Sequence, residues 1–217
     1  MRFSSFESQE NKPLGEGEDK RTFINPDDED KIISQLKETA EKDTPRQLKG
    51  RYYLTKIAHL LLPKKVPDIY QVREFESGQQ EVDAERISHS KEHSLLQAQR
   101  MKGEDEESAR EKIVEDIGED MWEVDLELER IGLGFNIEAN VGNYSKDNEG
   151  NVYYLETFKP WQKDVVDPDD LEVLFNEETL RESIEELSDE KTKEKCRQYL
   201  QRLLQLLEEE KEEIRET

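Results

Sequence analysis

Asn140 and Glu156 are the two side chains whose type and spacing best suit phosphate chemistry. They lie in the stretch from Gly132 to Trp161, GLGFNIEANVGNYSKDNEGNVYYLETFKPW. Asn140 falls in a glycine-flanked loop, and Val141 to Tyr144 reads as a short strand. Asp147-Asn148-Glu149-Gly150 reads as a turn, and Asn151 to Leu155 as a second strand from which Glu156 emerges. A hairpin of that form brings both oxygen-bearing side chains to one end. Magnesium favours such hard oxygen ligands, taking few from the protein and the rest from water and phosphate. The same residue types also serve as a turn-stabilising Asn and a solvent-facing Glu.

Other constellations point less far. His89 and His93 have the four-residue spacing of zinc ligands on a helix, but Ser90 is the better helix cap, leaving His89 outside, and no acid adjoins the first His. His59 sits in an apolar helical stretch and reads as structural. Asp27-Asp28-Glu29-Asp30 lacks the interleaved spacing and glycine of a helix-loop-helix calcium site and reads as a charged turn. No Gly-x-Ser-x-Gly elbow is present. Cys196 is the only cysteine, so an intrachain disulfide and a thiolate zinc site are both excluded, which points to a reducing interior.

The elements that must position Asn140 and Glu156 come from periodicity. Lys12 to Leu36 reads as extended structure with turns, including strand-like Arg21 to Asn25 and Lys31 to Leu36. Asp43-Thr44 can cap a helix with Pro45 in its first turn, running from Arg46 to Leu62 and ended by Pro63. Val66 to Phe75 and Glu81 to Ile87 are extended around a Ser77-Gly78-Gln79-Gln80 turn. Lys91 to Lys102 reads as a short helix closed by Gly103. Glu106 to Ile131 sets Ala109, Ile113, Ile117, Met121, Val124, Leu128 and Ile131 on one stripe, with Gly118 a point where it can break. Asn176 caps a helix to Leu187, and Ser188 caps a last one to about Ile214. That last helix has an apolar seam of Cys196, Leu200, Leu203, Leu207 and Ile214, expected to pack on its own chain rather than on a second copy.

Of the 217 residues, 32% are hydrophobic and 40% charged, so a folded core under a heavily charged surface is expected. The formal net charge of -23 sets the summed field against nucleic acid and anionic membrane. No run approaches the roughly 20 apolar residues of a membrane span, and a cytoplasmic monomer is expected. Lys12, Lys20, Arg21, Lys31, Lys37, Arg46, Lys49, Arg51 and Lys56 cluster in the first quarter. That asymmetry suits a lobe that meets an anion joined to a lobe that holds a cation.

A glycine-containing strand turn, a strand, one helix, more strands, a helical region, then an Asn loop, a hairpin and an acid follow one another. That order resembles the protein-kinase-like fold, including small-molecule kinases, over Lys12 to Trp161. In that family a catalytic loop His-x-Asp is followed, after four residues, by Asn, and the Asn and a later strand-end Asp hold magnesium. The resemblance implies that Asn140 and Glu156 are the metal ligands, that Gly15 and Gly17 form the glycine loop, and that Lys31 or Lys37 reaches the phosphates. Glu138 is the acid nearest the catalytic position. Several family features are missing. Phe135 stands five residues before Asn140, and Leu14-Gly15-Glu16-Gly17-Glu18-Asp19 carries three acids beside its two glycines. Ser34 occupies the place of the strand lysine. No acid lies between Pro45 and Leu62, and no activation segment separates Glu156 from Asp167.

The expected architecture is therefore α+β and two-lobed, kinase-like, with residues 1–90 a β-rich lobe bearing one helix. Residues 91–217 form a mainly helical lobe with a hairpin over 140–156 and a terminal helix over 189–214. The expected ligand is ATP with Mg2+, handled with weak or no phosphotransferase activity. The alternative, from another class, is an acidic interaction module that binds a basic protein partner or mimics nucleic acid.

Overall fold

Pro26 and Asp27 close the hairpin between Lys20–Asn25 and Asp28–Leu36, with proline presetting the turn and the Asn25 side chain accepting from the Asp27 N–H at 2.9 Å. The computed structural model describes residues 13–16, 19–40, 42–87, 103, 105–137, 140–162 and 167–216. Among these the chain is α+β. Five antiparallel strands, β1 (Gly15–Glu16), β2 (Lys20–Asn25), β3 (Asp28–Leu36), β4 (Ile69–Glu74) and β5 (Gln80–Glu85), lie in the order β1-β2-β3-β5-β4. The acidic run is not a free turn, because β3 already begins at Asp28, whose carboxylate pairs with Lys31 at 2.7 Å. Gly78, at φ +75°, turns β4 into β5 in the left-handed conformation that glycine adopts without strain.

Helix α1 (Pro45–Leu61) crosses from β3 to β4. Thr44 caps it, accepting from Gln47 N while the Gln47 side chain accepts from Thr44 N, and Pro45 needs no partner in the first turn. His59 bonds the Val66 carbonyl through Nδ1 at 2.9 Å, a structural role. Among the described residues three further α-helices follow, α2 (Glu106–Arg130), α3 (Glu177–Glu185) and α4 (Glu190–Glu216). Gly118 does not break α2, which runs unbroken. Its buried stripe is Ala109, Ile113, Ile117, Val124 and Leu128. Asn176 caps α3. Asp189, not Ser188, caps α4, its carboxylate accepting from the Thr192 N–H at 2.9 Å. Residues 88–102, including His89, His93 and the expected helix Lys91 to Lys102, lie outside the described residues.

The hairpin is present but shifted. Val141–Asn143 forms a 3-10 turn instead of a strand, so the paired strands are β6 (Tyr144–Lys146) and β7 (Val152–Tyr154). The reason is local: the Asn140 side chain accepts from Gly142 N at 3.0 Å, and that bond curls the chain before pairing can start.

One apolar cluster runs through the helices and the hairpin. Leu54, Ile57 and Ala58 of α1 enter it with Ile113 and Leu128 of α2, Tyr144 and Tyr154, Leu180, and the α4 seam Cys196, Leu200, Leu203 and Leu207. Helix α1 thus shares a core with elements more than a hundred residues later. Tyr199 packs on Tyr52 and Tyr53 with ring centroids at 6.3 and 5.9 Å, so α1 covers the α4 seam. Among the described residues no helix is long and apolar enough to cross a membrane.

Candidate functional site

The segment leaving β7 is fixed on every side. Tyr144 and Tyr154, paired across the hairpin, are both buried, and the Tyr154 hydroxyl donates to the Asn136 carbonyl at 3.0 Å. The Leu155 N–H donates to the Asn143 carbonyl at 2.7 Å, and Tyr154 N to the Lys65 carbonyl at 2.8 Å. Beyond Glu156, Phe158 N donates to Thr55 Oγ1 at 3.1 Å and Lys159 N to Asn136 Oδ1 at 2.6 Å. Arg51 clamps Asp43 through two bonds, of 2.6 and 2.9 Å, and donates to Thr157 Oγ1 at 3.0 Å. Helix α1 therefore holds the hairpin exit directly.

Glu156 reaches the sheet from this anchored position. Lys20 Nζ, at the start of β2 and opposite Leu36, donates to Glu156 Oε1, with both side chains about one third exposed. Beside the pair lies a recess lined by Ile32, Ile69 and Ala84 of the sheet, Thr55 of α1, and Leu155 and Glu156. Only about 20 Å³ of it is open to a water centre, room for about one water.

The residues expected at the phosphates are placed elsewhere. Lys31 is taken by Asp28 and lies over the Tyr70 ring, 4.8 Å from its centroid. Lys37 pairs with Glu16 at 3.0 Å; hydrogen bonds from Lys37 first, and then from Arg21, hold the Glu16 carboxyl below its ordinary value. Gly15 is a strand residue opposite Thr22, and Gly17 lies outside the described residues. The cation that meets Glu156 is Lys20, one of the basic residues of the first quarter, with no motif of its own to single it out.

Asn140 and Glu156 are held apart in role. The Asn140 Oδ1 accepts from Gly142 N at 3.0 Å and from Arg110 Nη1 at 3.1 Å on an exposed surface, so the ligand atom already has two donors. The asparagine joined to the Glu156 segment is Asn143, through Leu155. Glu138 lies outside the described residues, yet counting back five from Asn143 arrives at it, the spacing that the kinase pattern asks for between acid and Asn.

Among the described residues no group of three or more His, Cys, Asp or Glu side chains converges to hold a metal ion. At the hairpin exit the one carboxylate is Glu156, and Asn143 is joined to this segment through its backbone carbonyl, which accepts from Leu155 N; a magnesium ion held here would need water and phosphate oxygens to complete its shell. No protein-family model matches the chain, and no curated protein matches it either.

Proposed function

We propose that the chain is a two-lobed, kinase-like domain that binds a magnesium nucleotide between the five-stranded sheet and the helical body, with weak or no phosphotransfer. The observation that carries this reading is the Lys20–Glu156 pair, which sets a sheet cation against the acid at the hairpin exit beside an apolar recess. The crossover of α1 between the third and fourth strands supports it, as does the Glu138-to-Asn143 spacing.

In this reading Glu156 and Asn143 hold the cation, and Lys20 exchanges the Glu156 carboxylate for phosphate oxygens. Bound magnesium supplies charge neutralisation on the phosphates. A recess with room for about one water does not admit a nucleoside, so binding requires the sheet to move off the hairpin and the Lys20–Glu156 pair to open. That opening costs affinity, because the competent state is a fraction of the population. Lys31 and Lys37 are engaged by Asp28 and Glu16 and Lys20 by Glu156; of the three, only Lys20 has the proposed cation ligand as its partner, so it is the one that meets the phosphates once that ligand turns to the cation. With its α4 seam covered by α1, the chain acts as a monomer.

Thermal-shift measurement with ATP and magnesium tests the proposal. Nucleotide raises the melting temperature of the parent protein, magnesium is required, and Lys20→Met, Asn143→Ala and Glu156→Ala each reduce the rise. A parent protein indifferent to millimolar magnesium nucleotide, purine or pyrimidine, overturns it.

A further inference from the structure

A second concavity lies away from the recess and shares no lining residue with it. The C-terminal half of α2 and the loop after it enclose about 500 Å³ between Trp122, Leu126, Phe135, Ile137, Asp125 and Thr179. Trp122 is 65% exposed and Phe135 71%, more than the other exposed large hydrophobic side chains among the described residues. Exposed aromatics facing a groove mark interaction sites far more often than scattered surface leucines do.

The groove wall is preformed. Gly132 takes φ +87°, accepts from Asn176 N at 2.8 Å, and lies so close to α3 that a Cβ there would meet the Asn176 carbonyl at 2.8 Å. The loop bearing Phe135 is thereby tied to the start of α3, and a ligand need not order it. Asp125 in the wall accepts from the Tyr144 hydroxyl, which fixes its direction.

Its charge selects the occupant. Glu115, Glu119 and Glu129 lie on the same face of α2 as Trp122, at helical spacing, and Asp125 lies beside them. Among the described residues none of these four carboxylates has an ion-pair partner, although Glu123, on the next face, pairs with Lys65 at 3.7 Å. A second copy of a chain of net charge -23 is repelled, and nucleic acid and anionic lipid are repelled in the same way. A cation that seats its apolar stem against Trp122 and its head among carboxylates gains on both counts.

We infer that this groove docks a basic, amphipathic segment of another protein, an apolar side chain entering between Trp122 and Phe135 and flanking arginine or lysine meeting Asp125, Glu129 and Glu119. The interaction is independent of the nucleotide reading.

The probe is a labelled helical peptide with leucines on one face and arginines flanking them, titrated against the full chain by fluorescence anisotropy at low and high salt. Saturable binding is expected, weakened about tenfold by Trp122→Ala and by the Asp125→Asn, Glu129→Gln double variant, weakened by salt, and unaffected by Lys20→Met. Trp122 is exposed, so its loss leaves folding intact, and circular dichroism checks this. No binding, or binding that Trp122→Ala leaves unchanged, overturns the inference, the latter by reducing it to diffuse charge attraction. So does sedimentation showing a dimer that Trp122→Ala abolishes, since the groove is then a self-interface.

Discussion

Lys20 and Glu156 meet across 136 residues of chain, one opening the second strand of the sheet and the other leaving the hairpin. With side chains 31% and 30% exposed, the pair is screened on one side. A double-mutant cycle of Lys20→Met and Glu156→Gln in the absence of nucleotide is expected to give a coupling of about 0.5–1 kcal/mol. Additivity within error in urea unfolding would show that the two groups do not interact in solution.

Gly50 reverses the usual rule for helix glycines. Replacing a helix-interior glycine by alanine ordinarily stabilises by about 1 kcal/mol. At Gly50 the new Cβ would lie 2.8 Å from Pro160 Cγ and 3.2 Å from the buried Trp161 ring. Gly50→Ala is therefore expected to destabilise by about 1–2 kcal/mol, as overpacking does, and a midpoint shift in urea reads it directly. A stabilised Gly50→Ala would mean that α1 and the 160–161 corner are not in contact.

Arg73 lies 3.1 Å from Asp83 and 3.6 Å from Glu81, two carboxylates on adjacent same-face positions of β5 that are both buried. Burial holds the Glu81 carboxyl above its ordinary value, opposed by Gln35 and Arg73. A carboxyl raised in the folded state contributes stability that is full below its unfolded pKa and lost as pH rises through the folded one. Arg73→Met pushes it higher, so the variant should lose about 1–2 kcal/mol at neutral pH and approach the parent below about pH 4. Melting temperatures across that range give the gap, and a gap independent of pH refutes the assignment.

Cys196 is fully buried on the α4 seam, and burial pushes its thiol up to about 11. Native protein should resist thiol-exchange reagents at neutral pH, reacting at the rate of unfolding and rapidly only in denaturant. Labelling of the native chain at the speed of a free thiol would place α4 off the body.

Local signals carried most of the architecture. The capping box at Thr44 and Gln47, the α2 stripe and the Gly78 turn each arise from residues a few positions apart, and each was readable in order along the chain. Two features are not legible in order along the chain. The Asn140 side-chain cap on Gly142, which starts β6 at Tyr144 instead of Val141, has the residue types of a strand entry and differs from one by a single hydrogen bond. The partner of Lys20 depends on the register of β2 against β3 and on how the hairpin docks, and neither is written in neighbouring residues.

The pairing of α4 with α1 has a consequence for synthesis. Leu54 and Ile57 belong to the apolar cluster that Leu200, Leu203 and Leu207 complete, and Arg46 reaches Glu210 at 3.4 Å. A ribosome making this chain releases α1 long before its partner helix exists. The sheet can form early, but α1 must wait with an apolar face uncovered until the α4 seam has left the exit tunnel, so closure of the core waits on the emergence of α4.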